Sequence, residues 1–160
     1  MYAWTMKQYG LQMTRDLTKF LQDAEHKKHA TDIGTGMHAK MQHVTVDKDV
    51  VCGDADVVNI IKNRADLLPF FVVKAQTEVA IAGFVHGVFV SRRIDRLLIN
   101  HDTKTIDFID YKTDTDKSTF IEQYKYQLKE YAELLSSAYP EHKINGYILW
   151  LHDWALDKII

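Results

Sequence analysis

The 160-residue chain contains only one cysteine, Cys52. A single cysteine cannot form an internal disulfide, and it cannot supply the four ligands of a cysteine-type zinc site or of an iron–sulfur cluster. The sequence therefore predicts a protein of a reducing, cytoplasmic environment that carries no iron–sulfur cluster.

Long apolar runs are also missing. No run approaches the roughly 20 residues needed to cross a bilayer, and the first residues, MYAWTMK, lack the basic segment and apolar core of a signal peptide. We therefore expect no membrane partner. A GxxxxGK[ST] phosphate loop is missing as well, so we do not expect the chain to have an NTPase motor of its own.

Neither sign of charge is in large excess, since 20 basic and 22 acidic residues give a net charge of −2. Proteins that bind nucleic acid usually carry a basic patch, and here basic residues form only small groups, such as Arg92 and Arg93 with Arg96. Tight non-specific binding to duplex DNA is therefore not expected. A nuclease is still compatible with this charge, because a bound metal ion supplies positive potential where a phosphate lies.

Hydrophobic periodicity predicts one mixed α/β domain. We expect helices over residues 2–28, 33–44, 55–68 and 117–138. We expect a pair of strands within residues 72–90 and further strands at 93–99, 106–112, 144–151 and 154–160. Residues 45–53 are predicted to be a polar loop. The apolar run 144–151 is predicted to be a central strand that is covered on both faces.

The stretch from Arg93 to Lys112, RIDRLLINHDTKTIDFIDYK, is typical of two strands joined by a short polar turn. If these strands pair antiparallel, Asp95 and Asp110 can converge, with Lys112 beside Asp110 on the same face. Two buried carboxylates are costly unless they are paired or hold a metal ion. On spacing alone, a solvated edge with a weak surface ion pair is the simpler interpretation.

Other polar residues leave two interpretations open. His38 lies on a predicted helix, where it is either a packed or solvent-facing side chain or a metal ligand. Glu78 lies in a predicted strand, where it either faces solvent or neighbours a metal site. Gln127 and Tyr131 are at i, i+4 and project from one helical face, where the tyrosine either packs in the core or belongs to a site.

Taken together, these residues form an ordered series: Gly34-x-x-x-His38, a strand with Glu78, Asp95 in a strand, Asp110-x-Lys112 in the next strand, and Gln127-x-x-x-Tyr131 on a helix. With the segments GTGMH, RIDRLLI, IDFIDYKTD and YQLKEYAELL, the series resembles the PD-(D/E)XK nuclease superfamily. The resemblance is specifically to the RecB/AddA-type nuclease domain at the C-terminus of bacterial helicase–nucleases. It spans roughly residues 34–150.

The resemblance implies a single nuclease domain over residues 1–160 with a restriction-endonuclease-like core, a mixed central β-sheet flanked by α-helices. It implies four ligands for Mg²⁺ or Mn²⁺: the side chains of His38, Asp95 and Asp110 and the backbone carbonyl of Tyr111. Hard oxygen ligands suit both ions, and the imidazole favours tolerance of Mn²⁺. Lys112 would orient or activate water, while Gln127 and Tyr131 would support the active site and the substrate strand.

Two features depart from the family pattern. Arg92 stands where the family's Gly-x-x-Asp motif has glycine, and it either crowds the strand or adds a phosphate contact. Together with Arg93 and Glu78 it is an accessory candidate for the site. The cysteines that hold an iron–sulfur cluster in AddB-type relatives are missing, which is typical of the branch without a cluster.

The expected activity is metal-dependent hydrolysis of DNA phosphodiester bonds in double-strand break repair and recombination. The expected substrate is a single-stranded end delivered by a helicase module in the same polypeptide or complex. The missing motor and a start within a predicted helix favour a domain excised from a larger helicase–nuclease. Two alternatives are a non-catalytic DNA-binding or interaction module with the same fold, and a phosphoesterase for small phosphorylated substrates.

Overall fold

The computed structural model of the protein describes residues 36–160, of which Met37–Ile160 form one compact unit. The predicted helix 2–28 and the start of the predicted helix 33–44, with Gly34, lie outside the described residues. Residues 36–42 are helical and are called α1 here. The other helices are α2 (Ala55–Lys62) and α3 (Lys117–Ala138), and a short 3-10 turn covers Leu68–Phe70.

The described part of the chain also contains seven strands: β1 (Thr45–Val46), β2 (Val51–Cys52), β3 (Gln76–Val85), β4 (Val88–Asn100), β5 (Thr105–Lys112), β6 (Lys143–Trp150) and β7 (Ala155–Lys158). Five of them form one sheet in the order β3-β4-β5-β6-β7. β5 and β6 are parallel, because α3 provides the crossover between them, and the other neighbours in this sheet are antiparallel. The predicted fold class, a mixed sheet flanked by α-helices, is confirmed, and it is compatible with a restriction-endonuclease-like core.

Apolar clusters cover both faces of the sheet at β5 and β6. On one face, α3 packs through Leu128, Tyr131 and Leu135 in a cluster with strand residues that include Phe108 and Ile148. The opposite face packs against a second cluster, formed by α1, α2, the 3-10 turn and the residues around them. β6 is therefore an interior strand that is buried on both sides, as its continuous apolar sequence predicted.

Two predicted boundaries are wrong around α2. Residues 45–53 were expected to be a loop, but they include the small antiparallel hairpin β1–β2. The helix predicted over 55–68 ends at Lys62, because Asn63 caps it and donates its side-chain amide to the Asn59 carbonyl at 2.8 Å.

Two predicted strands merge into one. The sequence divided residues 72–90 from 93–99, whereas β4 runs without interruption for 13 residues. The glycine at the turn, Gly87, has a φ of 79° and joins β3 to β4 in a hairpin. Within residues 36–160, none of the helices combines the length and the apolar character that crossing a membrane requires.

Candidate active site

β4 and β5 separate at the two predicted carboxylates. Their antiparallel pairing includes Arg96 and Ile109 but does not extend to Asp95 and Asp110. Beyond that point the backbone N–H of Tyr111 donates to Asp95 Oδ2 at 2.6 Å. A side-chain oxygen thus takes the place of a ladder carbonyl, and the sheet opens into a fork at this position.

The pairing of β4 with β3, on the other side of Asp95, is irregular as well. The pairing of β3 with β4 passes over Glu78 and Asp95, although the residues on either side of them are paired. Glu78 has a φ of 53°, which is unfavourable for a residue with a side chain. Its carboxylate accepts a hydrogen bond from Arg93 Nη1 at 3.0 Å. Asp95 is therefore released from regular pairing on both of its sides.

Asp95 is buried, and its pKa is raised to about 7. Burial is the main cause, since it disfavours the charged form, and the nearby charge of Asp110 adds to the effect. The Tyr111 N–H and the Lys112 ammonium act in the opposite direction. At neutral pH the surrounding protein groups therefore leave the Asp95 carboxylate only partly ionised.

His38 reaches Asp95 from the side of the sheet that α1 covers. Its Nδ1 lies 3.7 Å from Asp95 Oδ1, and its Nε2 lies 3.2 Å from the Tyr111 carbonyl oxygen. The imidazole also meets the Tyr111 ring edge to face, with 5.7 Å between ring centres. The helix thus brings three of the four predicted metal ligands together.

Asp110 is buried on the side of α3. Its Oδ2 lies 2.5 Å from Lys112 Nζ in an ion pair. Its other oxygen, Oδ1, is 3.3 Å from the Tyr131 hydroxyl and 3.4 Å from Gln127 Nε2. Gln127 Oε1 in turn accepts a hydrogen bond from Lys112 at 3.1 Å. The predicted helical pair and the Asp-x-Lys pair therefore form one cluster.

Tyr131 also connects α3 to the beginning of the fork. Its hydroxyl is 3.1 Å from the Arg93 carbonyl oxygen and donates its single proton either there or to Asp110. It accepts a hydrogen bond from Gln127. Burial raises the pKa of Tyr131, and the charge of Asp110 raises it further. The phenol is therefore a hydrogen-bond donor over the whole neutral range.

Tyr124 also belongs to the cluster, although it is not among the site residues predicted from the sequence. Lys112 Nζ lies 4.3 Å from the centre of its ring, a cation–π contact, and its hydroxyl donates to Asp114 at 2.6 Å. The signal that could have found it is its spacing, since it stands three residues before Gln127 on the same helical face.

The accessory arginines occupy different positions. Arg92 donates through Nε and Nη2 to Glu130 on α3, at 3.0 and 2.8 Å, so it is held in an ion pair with a buried carboxylate. Arg93 binds Glu78, and 68% of its side chain remains exposed. The sequence groups Arg96 with these two basic residues, but Arg96 is buried and does not contribute to a basic surface patch.

Within residues 36–160, no three His, Cys, Asp or Glu side chains lie close enough together to form a metal site. In this structure the ammonium of Lys112 neutralises Asp110. The donor set still fits a hard divalent cation, because two carboxylates, a carbonyl oxygen and an imidazole are ligands that such ions accept. The raised pKa of Asp95 supports this fit, because a bound cation would stabilise the charged form of this buried carboxylate.

Fold and site together define a mixed α/β domain with a buried carboxylate–lysine cluster at a fork in its sheet. No family model and no curated protein matches the chain. A solved structure with similarity to it is the crystal structure of SSO0001, at 21% sequence identity and a TM-score of 0.38. The match covers 65% of this chain and 46% of SSO0001, so this chain spans less than half of that protein's length. A similarity of this extent assigns no function.

Proposed function

We propose that the protein is a metal-dependent deoxyribonuclease of the PD-(D/E)XK type. Its role would be that of an exonuclease domain that degrades single strands delivered by a helicase module during recombination and repair. The observation that carries the proposal is the meeting of His38, Asp95 and the Tyr111 carbonyl at one fork, with Asp110 and Lys112 on the adjoining strand segment.

The residues proposed to hold Mg²⁺ or Mn²⁺ are His38, Asp95, Asp110 and, through its carbonyl, Tyr111. When bound, the ion supplies positive charge at the phosphate and favours ionisation of a nearby water. Lys112 would orient the attacking water and stabilise negative charge on the phosphoryl oxygens. Gln127 and Tyr131 keep the Asp110 carboxylate aligned through hydrogen bonds to one of its oxygens.

The exposed face of the β3–β4 hairpin carries side chains that favour a single-stranded substrate. Phe84 and Phe89 are paired across the two strands with their rings 5.6 Å apart, and they are 73% and 62% exposed. Val90 and Ile94 pack toward α3, so alternation places Phe89 and Arg93 toward the other face. Exposed aromatic rings stack on unpaired bases, and an exposed guanidinium binds phosphate. This arrangement would lead a strand toward the fork.

Cleavage of end-labelled DNA by the purified full chain tests the proposal. With Mn²⁺ or Mg²⁺ we expect progressive shortening of single-stranded DNA, and with EDTA we expect none. Asp110→Asn and His38→Ala should abolish or strongly reduce cleavage. Asp107→Asn, which changes a carboxylate on the same strand outside the cluster, should leave cleavage at the wild-type rate.

Two results would contradict the proposal. One is intact DNA at every metal concentration when the protein is folded. The other is cleavage that Asp110→Asn leaves unchanged, since the activity would then come from a contaminant. Equal DNA affinity in EDTA and in Mn²⁺ without any cleavage would instead identify a non-catalytic binding module.

A further inference from the structure

Arg96 is a buried guanidinium, only 2% exposed, that makes no hydrogen bond to a carboxylate among the described residues. Its Cζ lies over the Phe71 ring, 4.2 Å from the ring centre. Burying a permanent charge away from an anion is costly. Its hydrogen-bond partners therefore have to compensate this cost. They also identify the parts of the chain that Arg96 connects.

The first set of partners lies at the end of α1. Nη2 of Arg96 donates to the carbonyl of Met41 at 2.7 Å and to that of Val44 at 3.1 Å. Carbonyls at the C-terminal end of a helix lack partners within the helix, and a cation there is favoured by the helix dipole. Met41 follows His38 by three residues, so the guanidinium fixes the turn of chain that carries the imidazole.

The second partner is Tyr111. Nε of Arg96 donates to the Tyr111 hydroxyl at 2.7 Å, while the carbonyl oxygen of the same tyrosine lies 3.2 Å from His38 Nε2. Arg96 also follows Asp95 directly in the sequence. One side chain is thus bonded to the helix that carries His38 and to the residue against which His38 rests.

We infer that Arg96 is a positioning residue that holds His38 against Asp95 and the Tyr111 carbonyl before a metal ion binds. This inference rests on the proposed function of the site. Its action is indirect, since the guanidinium donates to α1 and to the phenol and not to His38. Lysine cannot replace it, because only the planar guanidinium donates in several fixed directions at once.

The test compares Arg96→Lys with a control in the same apolar cluster, Val58→Ala, which removes core packing on α2. The measurements on the full chain are Mn²⁺ affinity by calorimetry, nuclear Overhauser effects between the His38 and Tyr111 rings in metal-free protein, and thermal unfolding. For Arg96→Lys we expect affinity weakened about tenfold or more, the equivalent of about 1.4 kcal/mol, and no Overhauser effects between the two rings. For Val58→Ala we expect a lower melting temperature, with wild-type affinity and wild-type Overhauser effects.

A milder variant keeps the test decisive if Arg96→Lys does not fold. Tyr111→Phe removes only the hydroxyl bonded to Arg96 and leaves the carbonyl in place, so it should weaken Mn²⁺ binding by a smaller factor. The inference is overturned if folded Arg96→Lys, or Tyr111→Phe in its place, binds Mn²⁺ as tightly as wild type and shows the same Overhauser effects. If wild-type protein binds no Mn²⁺, the proposed function fails, and the Overhauser effects between the rings alone decide the role of Arg96.

Discussion

The Asp95 carboxylate accepts the backbone N–H of Tyr111 at 2.6 Å, where β4 and β5 no longer pair with each other. One oxygen of Asp95 thus completes the hydrogen bonding of the sheet, and the other faces His38. Because Asp95 both completes the hydrogen bonding of the strands and contacts His38, the geometry of the site depends on the geometry of the strands. Substitutions at and around Asp95 can distinguish its structural role in the sheet from its role in the site.

Asp95→Asn should stabilise the metal-free protein at pH 8 while it removes metal-dependent cleavage. Asparagine keeps an oxygen for the Tyr111 N–H but carries no charge beside Asp110. Because the pKa of Asp95 is raised from 3.8 to about 7, the wild-type protein loses stability as pH rises through this range. The advantage of the variant, on the order of a few kcal/mol at pH 8, should disappear near pH 4. Urea unfolding at several pH values measures it, and an equal difference at pH 4 and pH 8 would contradict the prediction.

Removing the ring beneath Lys112 should impair catalysis more than removing the hydroxyl of the same residue. Tyr124→Leu eliminates the cation–π contact, whereas Tyr124→Phe eliminates only the hydrogen bond to Asp114. Such contacts are worth roughly 0.5–2 kcal/mol, so kcat should fall by about tenfold for leucine and by less for phenylalanine. Single-turnover cleavage rates provide the comparison. Equal losses in the two variants would show that the hydroxyl, and not the ring, positions the lysine.

The aromatic pair on the β3–β4 hairpin should contribute to binding of single strands. In the double variant Phe84→Ala, Phe89→Ala we expect weaker binding of single-stranded DNA, by about tenfold or more, because stacking is worth roughly 1–3 kcal/mol per base. Tyr126→Ala, which removes an exposed ring on α3, is the matched control. Fluorescence anisotropy with a labelled oligonucleotide in Ca²⁺ or EDTA measures both. A control that weakens binding equally would exclude a specific role for the hairpin.

Asp116 should stabilise α3 in a pH-dependent manner. Its side chain accepts the N–H of Ser118 at 2.9 Å as the N-cap, and hydrogen bonds from Ser118 and Thr119 lower its pKa to about 2. The stabilisation is therefore complete above pH 4 and is lost as pH falls toward 2. Asp116→Ala should lower the melting temperature at pH 7 and have little effect near pH 2. A constant difference over this range, measured by circular dichroism, would show that the carboxylate is not the cap.

The sequence predicted the elements whose local signals are strong. α3 begins and ends at the expected residues, because Asp116 caps it and Pro140 follows its end. β5 differs from its predicted range by a single residue. The hairpin β1–β2 was missed since strands of two residues are too short to show a hydrophobic period.

The candidate site was predictable only in part for a different reason. The types and order of His38, Asp95 and Asp110 can be read from the chain, but the fork between β4 and β5 depends on pairing that ends at one residue. The burial of Arg96 was not predictable either. Its partners Met41 and Val44 are more than 50 residues away, and a charged residue in a strand is usually exposed.

The left-handed backbone at Glu78 has a consequence for the outer border of the sheet. Among the strands of residues 36–160, β3 lies at the edge of the sheet. A long regular edge offers a row of free backbone donors and acceptors to another chain. The kink at Glu78 and the charged pair that it forms with Arg93 interrupt this row. The irregularity that releases Asp95 from pairing therefore also hinders aggregation by intermolecular strand addition.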